Sequence, residues 1–470
     1  MSSLFPVGPA GVAPIAALAA ELAAADPSLP VLGPLAADSP HALAAELERC
    51  SRDCFDYSPV LVPLLRGRRA DLVVRATRLA HVLLVAGACA RNGVPLTLRG
   101  AGTGNYGQCV PLQGGVVLDL TGLKRLRELD DGSGVVEVEP GCSLAALDRQ
   151  LAPRGRALRL APSTYRSASV GGFIAGGSGG IGSIRWGFLR DPGNLLGVEV
   201  VTVEPEPRLL RLDASASQPL NHAYGTNGIL TALRLPTCEA VAWQQLVVGF
   251  AHWGQALEAA RGLGSTALEL NALCLLEGVI CRDLPWPAGC PAPEGEPRLL
   301  LLAAPAALEA LPGWLRSQGG RMLWQAPQGE GRGLPLRELT WNHTTLHWRA
   351  QHPDWTYLQM LLPQPEDACL TALRRRWGDQ LLWHLEAVRH QGSARLACLP
   401  LLRWQGPEAL AALIEHCREL GAFVFNPHVL TVEDGGLGVI DADQVAAKAA
   451  HDPAGLLNPG KLRGWLERSG

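Results

Sequence analysis

The chain has 470 residues, 47% of them hydrophobic and 18% charged, which describes a folded globular protein with more residues than one ordinary core takes, so two lobes are expected. A formal net charge of -3 and a pI near 6.5 give no electrostatic reason for nucleic acid or an anionic membrane as the main partner. Its 12 cysteines are scattered without a CxxC pair, which argues against zinc ribbons and iron–sulfur clusters and leaves reduced thiols in a cytoplasmic setting as the expectation, with no metal site.

The opening stretch "MSSLFPVGPAGVAPIAALAAELAAAD" is alanine-rich, lacks a basic n-region and is broken by Pro6, Pro9 and Pro14, so it does not read as a signal peptide. No uncharged apolar run is long enough to predict a transmembrane span. Residues 1–59 read as an N-terminal helical extension, and helical periodicity continues through "HALAAELERC" and "ADLVVRATRLAHVLLVAGACARNG", ending at Gly93. Cys50 and Cys54 stand one helical turn apart and could share a face, as packing rather than as a metal site.

From Val94 to Leu235 the texture changes to short β-like runs punctuated by glycine: "VPLTLRG", "GGVVLDLTGL", "GVVEVEPG", "LLGVEVVTVE" and "GILTALRLP". Only Trp186 of the 13 tryptophans precedes residue 240, which places a domain boundary near Pro236 and delimits a first domain at 60–237 and a second at 238–440. The second holds apolar strands such as "RLLLLA" at 298–303, helices such as "GPEALAALIEHCRELGA" at 406–422, and a Pro/Gly-rich surface loop at 285–296. The last segment, 441–470, contains "HDPAGLLNPGKL" and returns to turn chemistry.

Three glycine-rich segments carry the ligand chemistry. In "LRGAGTGNYGQCVP", Gly100, Gly102 and Gly104 follow a predicted strand, but Pro111 and the strand "VVLDL" come next, so no helix follows and a dinucleotide fingerprint is excluded. No GK[ST] follows either, which excludes a P-loop. "APSTYRSASVGGFIAGGSGGIGSIRWG" holds eight glycines beside Ser163, Thr164, Ser167 and Ser169. Two loops rich in N–H and hydroxyl donors and poor in side chains suit a large, multiply charged ligand clamped from two sides. "AYGTNGILTALRLP" is a hairpin turn or a third contact.

In this order these segments resemble the FAD-binding domain of the vanillyl-alcohol oxidase and para-cresol methylhydroxylase (PCMH) superfamily, and most nearly its glycolate oxidase and D-lactate dehydrogenase branch. The resemblance rests on "PLTLRGAGTGNYGQCVPLQGGVVLDLTGLKRL", "PSTYRSASVGGFIAGGSGGIGSIRWGFLRDPGNLLGVEVV", "YGTNGILTALRL" and "DPAGLLNPGKL". It implies an α+β fold: a two-subdomain PCMH-type FAD-binding domain, an α/β cap (substrate) domain, and a C-terminal segment that returns to the FAD domain. It further implies that FAD is held by Arg99, Gly100, Ala101, Gly102, Thr103, Gly104 and Asn105 of the first loop, and by Ser163, Ser169, Gly171 and Gly172 of the second. Gly228 and the backbone of Ile229 would meet the cofactor, with Asn458 and Lys461 close to the flavin; otherwise Lys461 is a solvated C-terminal lysine. Many relatives attach FAD through a first-loop histidine, which Arg99 to Pro111 lacks. Cys109, the one nucleophile there, reads as a buried small residue, so noncovalent FAD is expected.

Oxidising a 2-hydroxy acid needs a base for the hydroxyl proton, groups for the carboxylate and flavin N5 to accept hydride. The cap supplies the candidates. His428 and Asn426 in "FVFNPHVLTVEDGG" stand two apart and would share one strand face, where His428 is functional or a satisfied structural residue. This stretch departs from the Gly-Asp-Gly-Asn-Leu-His pattern of such relatives. His343 and His347 in "LTWNHTTLHWRAQ" would share a helical face as packing or pocket wall, with Trp341, Trp348 and Trp355 as aromatic wall. Arg337, Arg349 and Arg395 could hold a carboxylate, and Glu386, Glu433 and Asp434 are further acid or base candidates. The expected function is an FAD-dependent oxidoreductase acting on a small hydroxylated substrate, such as a 2-hydroxy acid. The alternative is a flavin-binding electron-transfer or regulatory subunit without its own turnover. A redox partner subunit is one option for the electron acceptor, beside oxygen and quinone. A reductase drawing on NADPH is a weaker reading, since no separate nicotinamide motif is present.

Overall fold

A computed structural model describes residues 12–33, 40–330 and 333–469; the first eleven residues of the expected N-terminal extension lie outside them. The first sheet has four strands in the order Val31–Leu32, Leu72–Arg75, Val116–Asp119, Leu96–Arg99, the last three parallel. "LVVR" sits inside the stretch expected to be helical, yet it is a strand. Its apolar β-branched run is buried between neighbours on both sides, which outweighs the periodicity of the helix Leu79–Asn92 that follows. That helix ends at Gly93 in the left-handed region, as expected. Helix Val12–Ala25 packs Leu18 and Leu22 against Val82 and Val85, so the N-terminal segment belongs to the first lobe's core.

The second sheet is antiparallel, with the long strand Ile229–Glu239 at its centre between Val135–Val138 and Gly197–Val201. It continues past Pro236 to Glu239, and the next strand, Gln244–Gly249, belongs to the cap sheet. The cap is an eight-stranded antiparallel sheet in the order Arg321–Pro327, Gln244–Gly249, Arg298–Ala303, Leu270–Leu276, His384–His390, Ser393–Cys398, Gln359–Leu361, Phe423–Phe425. Helices Trp253–Gly264, Glu366–Trp377 and Pro407–Glu419 cover one face with the leucine-rich core. Helix Asn342–Gln351 lies over the other face, where Trp348 packs with Tyr357 and Cys274. The C-terminal segment crosses back: Leu96 N–H donates to Leu456 O at 2.8 Å and Asn458 N–H to Leu96 O at 2.7 Å.

Two sequence expectations change. Cys50 ends the helix Pro40–Cys50 and Cys54 lies beyond it, so the two share no helical face. Asn426 and His428 stand in the turn after Phe423–Phe425 rather than on the strand, closed by the His428 N–H donating to Asn426 Oδ1 at 3.0 Å.

Candidate functional site

A cavity of about 430 Å³, within the roughly 300–1,000 Å³ usual for small-molecule sites, runs between the glycine loops and opens under the start of helix Asn342–Gln351. Arg99 to Asn105, Ser163, Ser169, Gly171, Gly172 and Gly228 all line it. Among the described residues, the main-chain N–H groups of Gly100 to Asn105 donate to no main-chain carbonyl, which leaves them as donors for a ligand in the cavity. Gly100 is where the two jaws meet, because a Cβ there would fall inside the Ser169 hydroxyl, whose oxygen caps the short helix Val170–Gly176. Gly102 takes φ 69° and lies against the Arg99 guanidinium. These features fit a cradle for a diphosphate-bearing ligand, with backbone amides rather than lysines as counter-charge.

Four of the expected contact residues also tie the loops to their surroundings. Arg99 turns its guanidinium to the carbonyl of Cys50 at 3.2 Å, to that of Arg52 and to Cys109 Sγ, tying the first loop to the N-terminal segment. Asn105 donates from Nδ2 to Tyr357 Oη at 2.6 Å, which docks that loop on the cap. Asn458 and Lys461 are buried and outside the cavity lining. Asn458 Nδ2 donates to Gln108 O and Tyr224 O, while Lys461 Nζ donates to the carbonyls of Gly107, Gln108 and Val110. The alternative of a solvated Lys461 is therefore excluded; burial pushes its ammonium down, opposed by Cys109 and Asp53 nearby. Ile229 is buried beside the cavity, which its neighbours Gly228 and Leu230 line.

At the cap end stand Trp341, Asn342, His343, Leu346 and Gln359, with Tyr57 and Tyr106. His343 Nδ1 lies 2.9 Å from Glu338 Oε2, and Arg166 Nε lies 2.9 Å from Glu338 Oε1. His347 donates from Nε2 to Glu338 O at 2.8 Å, so the two histidines of one helical face converge on one residue. Burial raises the Glu338 carboxyl, but the bond and charge of His343 and the charges of Arg166 and Arg337 outweigh it and hold it below its ordinary value. A carboxylate accepting at Nδ1 leaves Nε2 as the free basic nitrogen of His343, the arrangement of an oriented general base.

The remaining candidates lie outside the lining. His428 is buried, with Nε2 donating to Tyr357 O at 2.7 Å and Nδ1 2.8 Å from Ser58 Oγ; burial pushes its pKa down to about 4. Asn426 closes the turn described above. Glu386 is 1% exposed and faces His384 and Cys274, which with it form a buried group whose ligating atoms lie within 4.8 Å of one another. Arg337 covers the Tyr165 ring, and Arg349 and Arg395 donate to the carbonyls of Trp355 and Leu362. Glu433 accepts from the N–H groups of Arg463 and Gly464, and Asp434 from Thr431.

Sequence reasoning missed Glu338 and the tyrosines. Four of the chain's five tyrosines, Tyr57, Tyr106, Tyr224 and Tyr357, gather around the cavity or its supports, in pairs 6.1 Å and 6.5 Å apart. Their scarcity in the chain was the available signal. Asp53 also lines the cavity, buried; desolvation raises its carboxyl, opposed by Lys461.

Residues 70–212 match the family described as an FAD binding domain. Over 146 residues the chain is 32% identical to the glycolate oxidase subunit GlcD of Escherichia coli, covering 31% of this chain and 29% of that protein. Over 182 residues it is 30% identical to a D-lactate dehydrogenase of Anaerostipes hadrus, covering 37% of each. The matched stretch thus spans about a third of the length of these curated relatives. Among solved structures, a Physcomitrella patens BBE-like 1 variant superposes with TM-score 0.65 at 13% identity, covering 95% of this chain and 98% of that one. An alkyldihydroxyacetonephosphate synthase gives TM-score 0.65 at 15% identity, covering 84% and 77%.

Proposed function

We propose that this chain, whose residues 70–212 form an FAD-binding domain of the PCMH type, is an FAD-dependent oxidoreductase that oxidises a small hydroxylated substrate of the 2-hydroxy acid class. The observation that carries the reading is a single cavity with an amide-lined cradle along its length and a carboxylate-oriented histidine at its cap end. The relatives named for glycolate and D-lactate support the substrate class.

FAD would lie along Gly100 to Asn105 and the Ser163 to Gly172 jaw, where it supplies the acceptor for the hydride leaving the hydroxyl-bearing carbon. His343 takes the hydroxyl proton at Nε2. Glu338 holds the Nδ1–H, fixes the tautomer and stabilises the imidazolium that results. Asn342 is the donor at that end for a substrate carboxylate, while Arg166 stands behind it against Glu338. Trp341 and Leu346 exclude water from the reacting carbon.

Attachment is noncovalent. The first loop has no histidine, and the Cys109 thiol is buried, held by Arg99 and pushed up to about 12 by burial and the charge of Asp53. The 12 free cysteines favour a reducing, cytoplasmic compartment, and no helix among the described residues is long and apolar enough to cross a membrane.

The test is anaerobic mixing of the FAD-loaded protein with a panel of 2-hydroxy acids, sugars and alditols. Bleaching of the flavin by a 2-hydroxy acid supports the reading. Bleaching by an alditol or sugar alone overturns the substrate class, and a flavin that no compound bleaches leaves the electron-transfer subunit.

A further inference from the structure

Trp341 stands at the cap end of the cavity with φ 53° and ψ -142°, a conformation that L residues with large side chains rarely hold. Such strain persists where the surroundings over-determine it. Its N–H donates to Glu386 Oε1 at 2.6 Å. The same oxygen accepts from His384 Nε2 at 2.8 Å, and the thiol of Cys274, directly opposite Glu386 on the neighbouring strand, lies within 4.8 Å of both side chains' polar atoms. All three side chains are buried and none lines the cavity. Thr344 Oγ1, one turn along the helix that Trp341 begins, is 3.5 Å from His384 Nε2.

A buried carboxyl group whose oxygen accepts from both Trp341 N–H and His384 Nε2 is held in a fixed orientation. Strands Leu270–Leu276 and His384–His390 pin it in the sheet, so it is a fixed reference point for the start of helix Asn342–Gln351.

We propose that Glu386 is a positioning residue: by accepting the Trp341 N–H it holds this main chain in the left-handed form, and so sets where the Trp341 ring, Asn342 and His343 stand over the reacting carbon. The inference rests on the proposed function for its consequence, but its geometry does not. A metal centre is the rival for Cys274, His384 and Glu386. The proposal stands on the bonds of Trp341 N–H and His384 Nε2 to Glu386 Oε1, and the metal content of the purified protein decides between the two readings.

The experiment compares Glu386→Gln with Glu386→Asp in the FAD-loaded protein, read by hydrogen exchange over residues 339–347, the visible flavin spectrum and metal content. Gln keeps the acceptor oxygen in place and loses the charge; Asp keeps the charge and withdraws the oxygen. The expected result is wild-type exchange and spectrum in E386Q. In E386D, exchange over 339–347 is about tenfold faster, as for one lost hydrogen bond, with strands 244–249 and 298–303 still protected and the flavin band altered. The reverse order, with E386D tolerated and E386Q defective, overturns the proposal, as does equal behaviour of the two. One equivalent of zinc in the purified protein that Cys274→Ser removes also overturns it. None of these readings uses a substrate, so failure of the substrate panel leaves them standing.

Discussion

His343 and Glu338 are five residues apart and meet across the start of one helix, Nδ1 to Oε2 at 2.9 Å, with the histidine on the cavity and the carboxylate behind it. Replacing His343 by Gln should leave FAD bound with an unchanged spectrum and slow substrate-driven flavin reduction by about 10²- to 10⁴-fold, the range of a lost general base. Glu338→Gln should slow it less, because the histidine stays but its tautomer is no longer enforced. Stopped-flow reduction across pH measures both.

Gly100 tests the cradle. A methyl there meets the Ser169 hydroxyl, so Gly100→Ala should purify with little flavin. In Gly100→Ala/Ser169→Ala the new carbon is 3.5 Å from the Ser169 Cβ, ordinary contact, and FAD content should recover in part. Absorbance at the flavin band per protein gives the answer directly.

Lys461 supports the first loop from beneath through three carbonyls. Lys461→Met leaves those oxygens without their donor, and a charged hydrogen-bond donor in such a place contributes about 1.5–3 kcal/mol. Denaturant titration should show a loss of that order, with weaker FAD binding by titration calorimetry.

His428 sets a pH dependence of stability. Its folded pKa is about 4, below the ordinary imidazole value of 6.5, lowered by burial and by the charge of Arg349, against the bond to Tyr357 O. Between those values the unfolded chain binds the extra proton, so stability falls as pH drops from about 6.5 towards about 4, by on the order of 2 kcal/mol at pH 5. Melting curves of wild type and His428→Gln should converge as pH falls through this window. A constant offset would refute the assignment.

Noncovalent attachment has a simple readout. After acid precipitation the flavin should remain in the supernatant, and yellow colour in the pellet would point to a cysteine adduct, with Cys109 and the cavity-lining Cys54 as sites to map.

The cradle was legible because its determinants are local. Gly100 to Gly104 and Ser163 to Gly172 carry their donors on the main chain, so a contiguous stretch specifies the chemistry whatever packs behind it. The strand at Leu72–Arg75 was not legible, since burial between two neighbours in a parallel sheet decided against the surrounding helical period. The cap side chains were partly legible. His343 reaches the cavity, whereas His428 and Glu386 carry the same chemistry but are consumed by partners elsewhere in the chain, at Ser58 and Tyr357 for one and at Trp341 and Cys274 for the other.

The sequence by itself pointed to two donor-rich loops suited to a large charged ligand, because a backbone amide offers its hydrogen bond regardless of side-chain identity. Only the tertiary structure decided which titratable groups face that cradle. His428 and Glu338 meet Ser58 and Arg166, partners hundreds of residues away in the chain, only when the cap sheet packs over the first lobe.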